Sequence, residues 1–326
     1  MKIHYLILLF FISINVNAQN NESITKINKE KHLTYLPSAS GVEVINGNIY
    51  VIGDDSPYLF QLDYDFSIID KMLITGNDSM SGGRVPKAIK SDFESMASFS
   101  DGDDILLAVL SSGSKEVMRD TIHIISTLYK KVLHSKNIRP LFEVIRTNAN
   151  FLKTDEINME AMAFNETSVF IMQRGNNNKN IIVSFDRKVF MNYLASDDTQ
   201  VPEMKIYWFT LPTLDNTISG FSGACFLPDN KTLLFTASLE ATSNAYDDGE
   251  ILGSYLGIIN LTNIENGGIK TELLSQDNKP IKTKLEGISV KAMNNNNATV
   301  IAVSDNDDGT SWIFEIELNI NQFFNK

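Results

Sequence analysis

The chain has 326 residues, of which 43% are hydrophobic, and a formal net charge of −12 at pH 7. An acidic surface repels nucleic acid and anionic membranes, so we expect neither as a partner. Cys225 is the only cysteine, which excludes an intrachain disulfide.

The first residues are typical of a signal peptide. Lys2 precedes an apolar run from Tyr5 to Ile14, and Ala18 ends a small-residue site with Val16 two places before it. The run is shorter than the roughly 20 apolar residues that span a bilayer, although a retained anchor is the alternative. We therefore predict a signal peptide over residues 1–18, and a secreted or periplasmic protein whose residues 19–326 form a single domain.

Short apolar runs, rich in β-branched and aromatic residues, recur along the rest of the chain and are bounded by Gly, Asn, Asp or Ser. In chain order they are 48–53, 105–110, 169–172, 232–237 and 299–303. Helical periodicity is almost absent, and 121–144 is the one stretch where we expect a helical turn. This pattern predicts an all-β fold.

Five segments of the chain align with one another. Each begins with Ser or Glu, continues with a small residue, and then forms a short strand, a polar turn and a strongly apolar strand. The starting residues are Ser40, Glu94, Glu160, Ser222 and Glu286, spaced 54 to 66 residues apart. The residues from Glu286 onward, together with those between Gln19 and Ala39, make up one more repeat length. A repeat without remainder predicts a closed ring, namely a five-bladed β-propeller with four-stranded antiparallel blades around a central channel; six blades are the alternative.

The first strand of each blade lines the channel of a propeller, so the five starting residues should converge on its axis. Three glutamates in one place cannot all stay ionised without compensation, and no Lys or Arg occupies an equivalent position. The sequence leaves raised pKa values or a bound metal ion. Oxygen ligands without His or Cys favour a hard cation, and Ca²⁺ accepts them in loose geometry. We therefore predict a Ca²⁺ site formed by Ser40, Glu94, Glu160, Ser222 and Glu286.

The second strand of each blade returns to the face where the first began, so the residues at its end should surround the ion. They are Asp54, Asp55, Ser111, Ser112, Arg174, Ser238 and Asp305, with Lys115, Glu240 and Asp307 nearby. Such a rim predicts a pocket for a small-molecule substrate or ligand. Asp54 or Asp55 would activate water, and Arg174 and Lys115 would hold an anion. The alternative interpretation is that Asp, Asn and Gly simply form the turns between strands.

At these positions the chain resembles the apyrase family of calcium-activated nucleotidases, which are five-bladed propellers. The order Ser, Glu, Glu, Ser, Glu is similar to that family's calcium ligand set, and the segments SGVEVINGNIYVIGDD, GFSGACFLPDN and LEGISV resemble its blade openings. Two basic residues of that family are replaced here by Ser56 and Glu250. Phytase-like esterase domains and the SdiA-regulated family also carry a Glu-Gly strand opening and are rival assignments.

The sequence therefore leaves two functions open. The first is a calcium-dependent hydrolase of phosphate anhydrides or esters, which the family resemblance implies. The second is a non-catalytic propeller with a structural calcium ion that binds a ligand or partner, which the two missing basic residues favour.

Overall fold

The computed structural model describes residues 24–76, 79–175, 179–241, 249–277 and 279–324. The predicted signal peptide, with its cleavage point after Ala18, lies outside these ranges. Within them, no helix is long and apolar enough to cross a membrane.

Twenty strands form five antiparallel sheets of four strands each, and each sheet is one blade of a propeller. Blade 1 contains β2 (Ala39–Ile45), β3 (Asn48–Gly53), β4 (Tyr58–Leu62) and β5 (Ile68–Leu73). Blade 2 contains β6 (Phe93–Asp101), β7 (Asp104–Ser111), β8 (Thr121–Ser126) and β9 (Lys131–Asn137). Blade 3 contains β10 (Met159–Phe164), β11 (Ser168–Gln173), β12 (Asn180–Asp186) and β13 (Lys205–Phe209). Blade 4 contains β16 (Gly220–Phe226), β17 (Thr232–Ala241), β18 (Glu250–Asn260) and β19 (Lys270–Leu273). Blade 5 contains β22 (Lys284–Asn294), β23 (Asn297–Asp305), β24 (Ser311–Asn319) and β1 (Thr25–Leu33). The five-bladed prediction is confirmed, and the six-bladed alternative is wrong.

The remaining elements lie in the connections between strands. They are the hairpins β14 (Thr213–Leu214) with β15 (Thr217–Ile218) and β20 (Ser275–Gln276) with β21 (Lys279–Pro280), the helices α1 (Arg139–Asn148), α2 (Arg187–Ala195) and α3 (Ile320–Phe324), and a 3-10 helix (Leu261–Asn266). The helical turn predicted within 121–144 begins only at Arg139, because two strands occupy the first part of that stretch. Helix α2 was not predicted; its short sequence is capped by Asp186, whose side chain accepts a hydrogen bond from Val189 N at 2.9 Å.

The inner strands explain why apolar runs were visible in the sequence. The first strands of neighbouring blades contact one another around the axis, and β10 is buried at every residue. The second strands lie between two others in the sheet and between neighbouring blades, so both of their faces are covered by protein. The outer strand β9 alternates exposed and half-buried residues, as expected for a sheet edge in contact with water.

Apolar side chains fill the spaces between blades. Blades 2 and 3 share a cluster in which the rings of Phe99 and Phe164 stack with centroids 4.8 Å apart. Helix α1 extends this cluster by burying Leu141, Phe142 and Ile145. Burial of such side chains contributes about 1.5–3 kcal/mol each, so the blades are held together mainly by this packing.

The two ends of the chain meet in blade 5. Strand β1 pairs antiparallel with β24, with Thr25 opposite Leu318 and Leu33 opposite Ser311. The prediction that the N-terminal segment completes the last blade is therefore confirmed. This pairing ties the start of the described chain to its end.

A β-bulge occurs at the same place in all five first strands. The register with the second strand shifts between Ala39 and Gly41, and it shifts at the equivalent point in the four other blades. The extra residue in each case is one of the predicted axial residues, namely Ser40, Glu94, Glu160, Ser222 and Glu286. The five residues are therefore structurally equivalent, as the repeat predicted. A bulge also bends the strand and redirects the side chain of the extra residue.

The small residue after each bulge is required by the crowding at the axis. A Cβ atom added to Gly287 would lie 3.0 Å from Gly41 Cα and 2.9 Å from Val42 N, both in the next blade. A Cβ on Gly223 would lie 3.0 Å from Gly287 Cα. At these two positions the backbones of neighbouring first strands therefore approach too closely for a Cβ atom, whereas the equivalent positions of blades 2 and 3 hold Ser and Ala.

We expect the substitution Gly287→Ala to lower the free energy of unfolding by about 1–3 kcal/mol, because the new methyl group would press on the backbone of blade 1. Urea unfolding of the purified variant measures the change. Gly76→Ala is the control, because a Cβ at Gly76 would have no neighbour within 4 Å. Equal stability of the two variants would contradict the close approach of the blades.

Candidate functional site

One end of the channel collects polar side chains, and we call it the mouth. It comprises the five bulged residues, the residues two positions before them, the residues at or just beyond the ends of the second strands, and the residues of the connecting segments that form ion pairs with them. The backbone N–H groups of Asp54, Ser112 and Arg174 donate at 2.9 Å to the carbonyls of Ser38, Asp92 and Asn158. In blades 4 and 5 the corresponding pairs are Gly220 with Ser238 and Lys284 with Asp305.

Four acidic residues of blades 1 and 2, which we call the aspartate cluster, surround one lysine. They are Asp54, Asp55, Asp92 and Glu94. The ammonium of Lys90 lies 2.6 Å from Asp54 Oδ2, 2.9 Å from Asp92 Oδ1 and 3.2 Å from Asp55 Oδ1. Ligand atoms of Asp54, Asp92 and Glu94 lie within 4.8 Å of one another, the spacing of a metal-binding group.

Two arginines fix the outer side of the aspartate cluster. Arg84 pairs with Asp55, and Arg119 Nη1 donates to Asp92 Oδ2 at 2.9 Å. Asp92 Oδ2 also accepts hydrogen bonds from Ser112 and Ser114, and Oδ1 contacts Lys90, so both oxygens have partners. Burial alone would raise the pKa of Asp92, but Lys90 and Arg119 outweigh it and the pKa is lowered. Asp92 is therefore an ionised, fixed member of the cluster.

Asp54 differs from its neighbours. Only its Oδ2 is held by Lys90, whereas Oδ1 is buried and has no hydrogen-bond partner among the described residues. Burial raises the pKa of Asp54 to about 7, although Lys90 opposes the shift. Asp54 thus combines a free carboxylate oxygen with a pKa near neutrality.

The second group, which we call the glutamate cluster, comprises Glu160, Glu240 and Glu286. Arg174 Nη2 lies 2.6 Å from Glu240 Oε2, and its Nη1 lies 3.6 Å from Glu160 Oε1 and 3.9 Å from Glu286 Oε1. The ammonium of Lys284 lies 3.4 Å from both Glu240 and Glu286. The positive charges of two basic side chains are thus shared among three buried glutamates.

The glutamates of the mouth titrate differently because their partners differ. Burial would raise the pKa of Glu240, but Arg174 and Lys284 lower it below its usual range. Burial raises the pKa of Glu94 well above its usual value, and the neighbouring charges of Glu160 and Asp92 raise it further. Burial also raises the pKa of Glu286 strongly despite Lys284 nearby. Glu94 and Glu286 therefore lack sufficient positive charge around them.

Unpartnered buried oxygens are concentrated at the mouth. Both carboxylate oxygens of Glu286 lack a hydrogen-bond donor among the described residues. The same holds for the hydroxyls of Ser95, Ser111, Ser238 and Ser304, which adjoin the bulges or end second strands. Buried polar atoms are normally satisfied by protein, water or a ligand. These carboxylate and hydroxyl oxygens therefore mark a position where a cation or an ordered water molecule would bind.

The two predicted serine ligands also serve as links between blades. Ser40 Oγ donates to the carbonyl of Phe93 in blade 2. Ser222 Oγ lies 2.6 Å from the carbonyl of Leu285 in blade 5 and 3.0 Å from Thr236 Oγ1. Both serines lie beside a glutamate of the next blade, at Glu94 and Glu286.

The predicted rim residues separate into two sets. The structure brings Asp54, Asp55 and Arg174 to the mouth, with Arg174 in contact with three glutamates. Lys115 is exposed, and it forms no salt bridge with any residue in the described ranges. Its place in the β7–β8 connection is taken by Arg119, which reaches the aspartate cluster. The roles of Arg174 and Lys115 in binding an anion stay predictions.

Sequence reasoning missed several residues of the mouth. Asp92 and Lys284 lie two positions before an axial glutamate, so a search at that offset would have found them. Lys90, Arg84 and Arg119 come from irregular connections, where no repeat marks their position. Their contribution depends on the path of the loops over the channel.

Comparisons with known proteins identify one sequence family and several solved structures that have low sequence identity to the chain. Among curated protein sequences, none matches the chain. The solved structures to which it is similar include glutaminyl cyclase from Myxococcus xanthus, with 9% identity and a TM-score of 0.47 over 90% of this chain and 96% of that one. They also include virginiamycin B lyase from Staphylococcus aureus, with 11% identity and a TM-score of 0.39 over 90% and 99% of the two chains. A sequence profile matches residues 35–318, which span all five blades. The chain therefore belongs to the family of unknown function DUF6929.

Proposed function

We propose that the chain is a secreted calcium-binding propeller whose mouth holds one Ca²⁺ ion through Glu94, Glu160 and Glu286. The observation that carries this proposal is the carboxylate of Glu286, which is 3% exposed and has no hydrogen-bond donor on either oxygen among the described residues; its nearest positive charges, Lys284 at 3.4 Å and Arg174 at 3.9 Å, are shared with other glutamates. An ionised carboxylate without donors is strongly unfavourable in a protein interior. A divalent cation supplies the missing charge and binds the free oxygens directly.

The charge balance of the mouth supports a divalent ion. Its carboxylates outnumber its basic side chains by nine to five. The acidic residues are Asp54, Asp55, Asp92, Glu94, Glu160, Glu240, Glu286, Asp305 and Asp307, and the basic residues are Arg84, Lys90, Arg119, Arg174 and Lys284. One Ca²⁺ offsets two of the four excess negative charges, and the remainder is relieved by the protons that the raised pKa values retain.

The ligand chemistry favours calcium over transition metals. Carboxylate and hydroxyl oxygens surround the axis, and no His or Cys side chain belongs to the mouth as described. Calcium binds six to eight oxygens, so water can complete the shell. The resemblance of the five bulged residues to the calcium ligands of the apyrase family supports the same choice.

Calorimetric titration of the metal-free protein with CaCl₂ tests this proposal. We expect one bound ion in the wild-type protein and about a tenfold or larger loss of affinity in Glu286→Gln, because the number of ligand charges tunes calcium affinity. Glu43→Gln is the matched control. Glu43 is also buried, but it accepts hydrogen bonds from Ser98 and Ser289 and is not a proposed ligand. Absence of binding in the wild-type protein would refute the proposal.

Asp54 favours a second candidate, a calcium-dependent hydrolase. A general base works best with a pKa near the operating pH and needs a free oxygen to accept the proton; the pKa of Asp54 is raised to about 7, and its Oδ1 has no hydrogen-bond partner among the described residues. Against this, each basic side chain of the mouth already pairs with a carboxylate, so none is free to hold a phosphate. A panel of nucleotides, phosphate esters and carboxylic esters, assayed with calcium and with Asp54→Asn as the control, decides between binder and enzyme.

A further inference from the structure

Lys90 occupies a position in the mouth that resembles a cation site. Its ammonium has three N–H donors, and three aspartates each place one carboxylate oxygen 2.6 to 3.2 Å from the nitrogen. Lys90 is 6% exposed and contacts the cluster from the connection that precedes β6. The position is therefore filled by a charge that belongs to the chain itself.

The carboxylates around Lys90 would suit a metal ion if the lysine were absent. Ligand atoms of Asp54, Asp92 and Glu94 lie within 4.8 Å of one another, and Asp54 Oδ1 is free. Calcium–oxygen distances are about 2.3–2.6 Å, so a small inward movement of these side chains would coordinate the ion. Without Lys90, the four acids face two arginines, so the cluster carries a net charge of −2 when all four carboxyl groups are ionised, and this charge matches a divalent cation.

We propose that Lys90 is the residue that limits the mouth to a single divalent ion, because its ammonium fills a second cation position formed by Asp54, Asp55, Asp92 and Glu94. The proposal deepens the calcium site put forward above and rests on it for the ion at the axis. It adds a determinant of metal stoichiometry: the single positive charge of the Lys90 ammonium prevents a second metal ion from binding beside the first. The bound ion is thereby confined to the axis, between Glu94 and the glutamate cluster.

The test is the number of calcium ions bound by Lys90→Met, measured by calorimetry and by elemental analysis after gel filtration. We expect one more ion per chain than in the wild-type protein, together with a melting temperature that depends more strongly on calcium. The control Lys291→Met removes a half-buried lysine that pairs with Glu315 and lies over the Tyr64 ring, and it should leave the number unchanged. The double variant Asp54→Asn/Lys90→Met removes a ligand as well and should lose the additional ion.

The outcomes separate this inference from the proposed function. One ion in the wild-type protein and two in Lys90→Met support both. No ion in the wild-type protein and one in Lys90→Met support the role of Lys90 and refute the axial ion. Equal numbers in both proteins overturn the inference, whatever the wild-type value. If Lys90→Met folds only in the presence of calcium, elemental analysis of the refolded protein gives the same count.

Discussion

Replacing Arg174 with Gln is expected to lower the free energy of unfolding by about 3–5 kcal/mol at pH 7, the usual effect of removing one partner from a buried ion pair. Arg174 contacts Glu160, Glu240 and Glu286, and Lys284 alone cannot compensate all three. The loss follows from stranding buried carboxylates rather than from losing a favourable contact. Urea unfolding followed by fluorescence and circular dichroism measures the change.

The pH dependence of that loss identifies its origin. Arg174 and Lys284 lower the pKa of Glu240, so this pair contributes stability that is present above pH 4.5 and disappears as the pH falls through the folded-state value. The deficit of Arg174→Gln should therefore be largest near pH 7 and shrink below about pH 4.5. The control Lys282→Gln breaks an exposed pair with Glu250 and should leave the stability nearly unchanged at any pH, because solvent screens such a pair. A deficit that is independent of pH would contradict the electrostatic explanation.

Removal of calcium is the second change with a large expected effect. A ligand that binds only the folded state stabilises it by about 2.7 kcal/mol when its concentration is about 100 times its dissociation constant. We therefore expect a chelator to lower the melting temperature by several degrees at pH 7. Scanning calorimetry with and without chelator measures the shift.

The decrease in melting temperature caused by the chelator should become smaller at low pH, because buried carboxyl groups of the metal-free protein then bind protons. Burial raises the pKa of Asp54 to about 7 and that of Asp305 to about 6, so both take up protons on folding. A carboxyl with a raised pKa contributes stability below its unfolded value, and that contribution is lost as the pH rises through the folded value. The metal-free protein should thus become less stable between pH 4 and pH 7, while the calcium-loaded protein loses less. Superimposable melting curves at pH 7 would count against the axial ion but leave the propeller intact.

Much of the architecture followed from the sequence because the propeller repeats one local pattern. Ser40, Glu94, Glu160, Ser222 and Glu286 were recognisable since each opens a strand at near-constant spacing, and the five bulges confirm their equivalence. The apolar second strands were visible because both of their faces are buried. Closure of the ring followed from counting residues at the two ends.

The charge compensation of the mouth was predicted only in part: Arg174 was expected at the rim and Lys284 lies at a fixed offset from an axial glutamate, whereas Lys90 comes from an irregular connection. The sequence shows no basic residue at the axial positions, which is correct, but Lys90, Arg174 and Lys284 reach the carboxylates from other positions. Long basic side chains act several ångströms from their own backbone, so a strand pattern does not report where their charge lies. Lys115 illustrates the converse, since its position in the sequence is close to the rim while its side chain is exposed to solvent.

The meeting of β1 and β24 has a consequence for how the ring is assembled. Strand β1 is synthesised before the five inner strands, but its partner β24 becomes available only when the last blade has been made. Until then β1 remains unpaired. Its sequence TKINKEKHL suits this unpaired state, because Lys26, Lys29, Glu30 and Lys31 make four of its nine residues charged. Charged residues, and lysine above all, discourage an unpaired edge from joining other chains. The same residues that lie on the outside of blade 5 thus protect the chain from aggregation before the ring closes.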